Sequence, residues 1–224
     1  MDKYRNKDRE YVYNSELETL YSTVRSEIGK RIKEFRLSWE KGTEEELFRE
    51  FTFCLLTPQS KAKSCWKAVE RLSGDNLLFD ACRDVIANNL TGVRFHHTKA
   101  ANIERARELF VRNGKFNIRT PIMRFESPFD ARDWLVQNVK GFGYKEASHF
   151  MRNVGLGENF AILDRHVLRN LKRLGVIDEI PRYLKAKRYI DIEQKMRQFA
   201  DDIGIPLDHL DLLLWFRETG EIFK

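Results

Sequence analysis

Two glycines one residue apart, in Val139-Lys-Gly-Phe-Gly-Tyr-Lys-Glu-Ala147, stand between two segments of helical periodicity and set the tightest limit on what this chain can become. A turn that short folds the flanking helices into a hairpin. The first N–H groups of the second helix have no partner inside it, and the helix dipole adds partial positive charge at the same place. Such a turn is a seat for an anionic oxygen, above all a phosphate. Lys145 stands in the first turn of that helix, and Asp164, an acid opening a later helix, follows 19 residues on.

The rest of the chain repeats the helical pattern. Leu17, Leu20, Tyr21, Val24, Ile28, Ile32 and Phe35 recur at helical spacing between Ser15 and Trp39, and Gly42 stops the run. Thr43-Glu-Glu-Glu46 is a capping box, and Leu47 to Leu56 is apolar on several sides, as a buried central helix requires. Helices are expected over 61–72, 76–88 and 98–112, and Ser127-Pro128 opens another that runs into the hairpin at Gly141. Beyond Asp164 the pattern predicts helices over 164–174, 181–203 and 206–219, the last two opened by Pro181 and Pro206. No stretch alternates convincingly with period two, so the expected fold is all-α, without repeats or a linker between independent domains.

With 224 residues and 42% hydrophobic content the chain can bury a substantial core without staples. Cys54, Cys65 and Cys82 are an odd number with no Cys-x-x-Cys pair, which supports neither a disulfide framework nor a metal site. The densely charged first ten residues have no apolar core of an export signal, and no apolar run has membrane-spanning length. The expectation is an intracellular, cytoplasmic monomer with no membrane contact. The net charge of +6 is unevenly spread: residues 91–124 carry eight Lys/Arg against two Glu, and residues 135–173 carry seven against three acids. The basic excess coincides with the hairpin, which points to nucleic acid.

Each candidate residue also has a plainer reading. A lysine on a helix is usually just solvated, but near other cations and a helix N-terminus its amine is easier to deprotonate and becomes a nucleophile. Asp164 is the natural N-cap of its helix, with Val167 and Leu168 facing the core. A carboxylate held there can also stabilise developing positive charge. Arg165 and His166 follow as phosphate neighbours. Gln59 in Leu55-Leu-Thr-Pro-Gln-Ser-Lys-Ala62 has donors and an acceptor that suit an unpaired base, and Ser60 and Lys61 open the next helix toward a phosphate; a plain interhelical turn is the other reading. Phe95, in the basic and aromatic run Arg94-Phe-His-His-Thr-Lys99, either stacks on a base or belongs to the core.

Gly-x-Gly-x-Lys followed at 19 residues by Asp164, within Ile162-Leu-Asp-Arg-His-Val167, resembles the helix-hairpin-helix/Asp DNA glycosylases. Among them the chain is most similar to the compact, archaeal-type 8-oxoguanine DNA glycosylase/abasic-site lyases, from about residue 42 to the end. The resemblance implies one glycosylase fold over 1–224, with two helical lobes flanking a cleft: 42–158, containing the helix-hairpin-helix, and 1–41 plus 159–224. It implies an enzyme of base-excision repair whose partner is double-stranded DNA containing oxidised guanine. Lys145 would displace the base at C1′, form a Schiff base and allow β-elimination of the 3′ phosphate. Gln59 would fill the space left by the flipped nucleotide, Gly141 and Gly143 would seat a phosphate, and Trp215 and Lys224 would line the base pocket. No cofactor is implied: the four cysteines that hold an iron–sulfur cluster in the endonuclease III-type relatives are missing after the catalytic region.

Three alternatives stand beside this. A glycosylase for a different damaged base, or one without lyase activity, does not need Lys145. A non-catalytic helix-hairpin-helix module that grips the DNA backbone needs the glycines but not Asp164. A helical protein-interaction domain needs neither and leaves the basic excess unexplained.

Overall fold

Eight of the thirteen residues of Glu44–Leu56 are buried, among them every residue from Phe51 to Leu56, and their packing organises one half of the molecule. In the computed structural model the backbone is described for residues 2–224 and the side chains from Ser15 onward. Met1, where the expected second lobe begins, and the side chains of the charged N-terminal run lie outside the described residues. The helices are α1 (Asp2–Lys41), α2 (Glu44–Leu56), α3 (Ala62–Gly74), α4 (Leu77–Asp80), α5 (Arg83–Asn89) and α6 (His96–Phe110). A two-stranded antiparallel ribbon, β1 (Val111–Arg112) and β2 (Lys115–Phe116), follows. Then come α7 (Arg119–Met123), α8 (Pro128–Asn138), α9 (Tyr144–Asn153), α10 (Arg165–Arg173), α11 (Ala186–Asp202) and α12 (Leu207–Thr219). The chain divides into two compact units, one holding the residues up to Phe35 with Glu158–Lys224, the other Arg36–Gly157.

In the unit of Arg36–Gly157, α2 is the centre. Its start is fixed by the expected capping box: Glu46 N–H donates to Thr43 Oγ1 (3.1 Å) and Thr43 N–H to Glu46 Oε2 (2.8 Å). Phe51 of α2 stacks on Phe142 at 4.6 Å and meets Phe110 and Phe150 edge-on. Each fully buried phenylalanine contributes roughly 1.5–3 kcal/mol, so packing rather than intrinsic propensity holds α2 in place.

In the other unit the expected apolar stripe of α1 is the buried face, with Leu17, Ile28 and Ile32 inside. Tyr189, Ile192 and Met196 of α11 and Leu210, Leu213 and Leu214 of α12 are buried in the same unit. Tyr21 of α1 hydrogen-bonds His209 of α12 at 3.0 Å.

The all-α expectation holds, with local corrections. The span 76–88 is two helices: Ala81 is extended, and its carbonyl accepts from Arg107 Nη2 at 2.6 Å instead of continuing the helix. The helix expected over 98–112 ends at Phe110, because Asn113 and Gly114 both take positive φ (52° and 73°) and turn the chain into the ribbon. Pro181 does not open α11, whose N-cap is Lys185; the buried face of that helix starts only at Tyr189. Among the described residues no helix is long and apolar enough to cross a membrane.

Candidate active site

The hairpin is built by side chains that commit its ends. Ser127 Oγ caps α8 by accepting from Phe129 N–H (3.2 Å), and Pro128 follows it as expected. Val139 ends α8, and Phe142 N–H donates back to Val139 O at 3.2 Å. Phe142 then drops into the core against Phe51, which anchors the turn. Gly141 has φ +97°, and a Cβ there would lie 2.5 Å from Asn102 Nδ2. Gly143 is different: its φ of −110° is open to any residue, and its N–H donates to Glu146 Oε2 at 3.1 Å. That amide, expected as part of a phosphate seat, is thus engaged within the turn.

Lys145 is half-buried in the first turn of α9. Its Nζ donates to Thr57 Oγ1 at 3.0 Å and lies 3.3 Å from Glu146 Oε1. Thr57 is the C-cap of α2, and its hydroxyl donates in turn to Cys54 O (2.8 Å). The nucleophile candidate therefore docks on the loop that carries Gln59, which the spacing of these residues in the sequence does not reveal.

That loop is a tight turn. Pro58 and Gln59 occupy its centre, Ser60 N–H donates to Thr57 O (3.0 Å), and Gln59 is exposed at φ +55°. Non-glycine residues in this region carry about 1–3 kcal/mol of strain and gather at functional sites. Lys61 is exposed at the start of α3. Ser60 Oγ accepts from the N–H of Arg94 and from Lys99 Nζ, both at 3.0 Å. Phe95, the N-cap of α6, is 55% exposed at φ +58°, with the Arg94 guanidinium 5.7 Å from its ring. Its core reading is thereby excluded.

Lys99 was not singled out from the sequence. It is buried, and burial first, then the charge of Lys145 among others, lowers its ammonium below the ordinary lysine range. Cys65 lies close by; burial pushes its thiol up to about 11, against the pull of Lys99 and Lys145.

Asp164, Arg165 and His166 of the other unit stand at the start of α10. Asp164 is its N-cap, Oδ1 accepting from Val167 N–H at 2.8 Å. The approach to it, Ala161-Ile-Leu163, is held by buried polar groups from α11 and α12. Glu193 accepts from Ala161 N–H (3.1 Å), Asp211 from Ile162 N–H (2.8 Å), and Tyr189 OH bridges Leu163 N–H and Ala161 O. These three residues were missed, although Glu193 falls on the apolar stripe of α11 and Asp211 interrupts a leucine run. Arg165 is exposed, whereas His166 meets Trp215 edge-on at 5.3 Å and lies 3.6 Å from Glu218. Burial raises the Glu218 carboxyl, but Arg173, Asn170 and His166 outweigh it and leave it below the usual range. Lys224 is half-buried, following a buried Ile222.

Cys54, Cys65 and Cys82 are free thiols, and among the described residues no group of three or more His, Cys, Asp or Glu is placed to hold a metal ion. Among the described residues, Lys145, Thr57, Gln59, Ser60, Lys99 and Phe95 form one neighbourhood in the unit of Arg36–Gly157, and Asp164, His166 and Trp215 form another in its companion.

Comparison with known proteins points the same way. The family description that matches, over residues 28–205, is that of 8-oxoguanine DNA glycosylase. The chain is 44% identical over 212 residues to the 8-oxoguanine DNA glycosylase/AP lyase of Fusobacterium nucleatum, covering 95% of this chain and 98% of that one. It is 38% identical over 205 residues to the Methanocaldococcus jannaschii protein of the same description, covering 91% and 94%. The crystal structure of the M. jannaschii glycosylase superposes with a TM-score of 0.85 at 36% identity, over 96% of this chain and 97% of that one. The M. jannaschii glycosylase/lyase has also been solved with a 15-mer DNA containing 8-oxoguanine, again with a TM-score of 0.85 at 36% identity, over 94% and 99%. With a family match across most of its length and relatives this similar from end to end, the chain belongs to the 8-oxoguanine DNA glycosylase family.

Proposed function

We propose that this chain excises 8-oxoguanine from duplex DNA and cleaves the abasic site it creates, with Lys145 as nucleophile and Asp164 as the charge-stabilising carboxylate. Its end-to-end identity with glycosylase/lyases carries the reading. The Lys145 and Asp164 geometry supports the roles: one amine in the first turn of a hairpin helix, one carboxylate locked by its cap.

The Lys145 amine, once neutral, gives its lone pair to C1′ while the C1′–N9 bond breaks and its electrons leave with the base, which takes up a proton. Asp164 stabilises the positive charge that develops at C1′. Opening of the sugar ring gives the Schiff base. Loss of a C2′ proton then expels the 3′ phosphate as the C3′–O3′ bond breaks, and water releases Lys145.

For recognition, the roles assigned are base recognition for Phe95 and Trp215, and for Gln59 filling of the space that the extruded base leaves in the stack. 8-oxoguanine has an N7–H donor where guanine has an acceptor. A buried acceptor beside Lys224, such as a backbone carbonyl, would satisfy that donor and reject normal guanine, a kind of contact that discriminates by about 10⁴ or more. A panel of duplexes carrying single lesions tests the reading: 8-oxoguanine should be cut fastest and unmodified guanine not at all. Preference for another damaged base would overturn the assigned substrate.

A further inference from the structure

Lys99 is only 5% exposed, yet its Nζ donates three hydrogen bonds: to Leu56 O (2.7 Å), Pro58 O (2.7 Å) and Ser60 Oγ (3.0 Å). Three acceptors around one nitrogen require all three protons of an ammonium. Leu56 O belongs to the last residue of α2, where the helix dipole is negative and carbonyls lack helical partners, and Pro58 O lies in the turn that follows. The third, Ser60 Oγ, also accepts from Arg94 N–H, so one buried cation ties together two separate loops. Each loop carries an exposed non-glycine residue at positive φ, Gln59 in one and Phe95 in the other. Strained backbone persists only where its surroundings over-determine it.

We propose that Lys99 is a positioning residue for nucleotide extrusion, holding the Gln59 and Phe95 loops as one rigid pair against the duplex. Lys99 touches neither base nor sugar in this role and acts through the two loops. The inference rests on the proposed glycosylase reading. It predicts that loss of Lys99 slows the opening of the duplex rather than the chemistry at Lys145. Extrusion costs a few kcal/mol for a paired base and least for an unpaired one. A defect in extrusion is therefore relieved when the lesion has no partner, whereas a defect in chemistry is not.

The test measures single-turnover excision by Lys99→Met on 8-oxoguanine opposite cytosine and opposite a tetrahydrofuran abasic analogue. Displacements of about 1 Å in a supporting shell cost up to about 10²-fold, so the expected loss is about 10–10²-fold on the paired duplex and less than about threefold on the unpaired one. A fluorescent 2-aminopurine beside the lesion should show slowed unstacking in the variant. Ser60→Ala, which removes the shared acceptor but keeps the lysine, should show the same pattern in weaker form, and stands in if the Lys99 variant does not fold. Equal losses on both duplexes, or none on either, would overturn the proposal. Gln59→Ala and Lys145→Gln separate it from the reading beneath it. If Lys145→Gln still forms a borohydride adduct, the catalytic assignment fails; if Gln59→Ala shows the paired-duplex defect while neither supporting variant does, only the Lys99 inference fails.

Discussion

The Lys145 ammonium donates across 3.0 Å to the Thr57 hydroxyl, so a residue 88 positions earlier in the chain aims the proposed nucleophile. Thr57 spends its own proton on Cys54 O, which fixes the hydroxyl with a lone pair toward Lys145. Thr57→Val keeps the shape and removes that acceptor. One net hydrogen bond is worth about 1 kcal/mol, so adduct formation on a ready-made abasic site should slow about five- to tenfold with DNA affinity unchanged. Unchanged trapping kinetics would mean that the hydroxyl does not orient the amine.

The two hairpin glycines should respond differently. Gly141→Ala meets both a left-handed backbone, at about 1–2 kcal/mol, and the Asn102 side chain at 2.5 Å. A drop in Tm of roughly 2–8 °C and weaker DNA binding are expected. Gly143→Ala places its Cβ 3.3 Å from the flexible Glu146 carboxylate and should fold nearly as well as the parent. Thermal melts of both variants check this, and equal destabilisation would contradict it.

Asp164→Asn separates the cap from the charge. The amide oxygen still accepts from Val167 N–H, so stability should change by well under the ~1 kcal/mol that loss of an N-cap costs. Excision should nevertheless fall by about 10²–10³-fold, the scale for removing one preorganised electrostatic partner. A variant that keeps its activity would leave Asp164 with the cap as its whole role.

The buried Cys65 thiol gives a pH signature. Its folded value is raised from 9.0 to about 11, so the stability it contributes is present in full below about pH 9 and is lost as pH rises through about 11. Lys99 runs the other way: its value is lowered, and its contribution grows as pH rises toward the ordinary 10.5. Cys65→Ala should therefore flatten the alkaline decline in denaturant midpoint. An identical pH curve would contradict the burial of the thiol.

What could be read from the sequence followed from local rules. The Thr43 capping box, the Ser127-Pro128 helix start and the Asp164 cap each depend on residues within four positions, and each formed as expected. The Asn113-Gly114 turn was equally local and was passed over because the strands it joins are two residues each. The break at Ala81 depends on Arg107, 26 positions away, and no local pattern shows it. The same holds for the candidate site: Lys145 and Asp164 stand out through the resemblance that the Gly-x-Gly-x-Lys run and the later aspartate carry, whereas Thr57 and Lys99 meet their partners only through contacts spanning 39 to 88 positions. Glu193 and Asp211 were legible in principle, since an acid in an apolar stripe needs buried donors, here the amides of Ala161 and Ile162.

The most direct test of the central claim is borohydride trapping on a duplex containing 8-oxoguanine. The parent protein should be fixed to the DNA through a reduced Schiff base, and peptide mapping should place the link on Lys145. Lys145→Gln should bind the same duplex and form no adduct. An undiminished adduct in that variant, or a link mapped to another amine, would contradict the account.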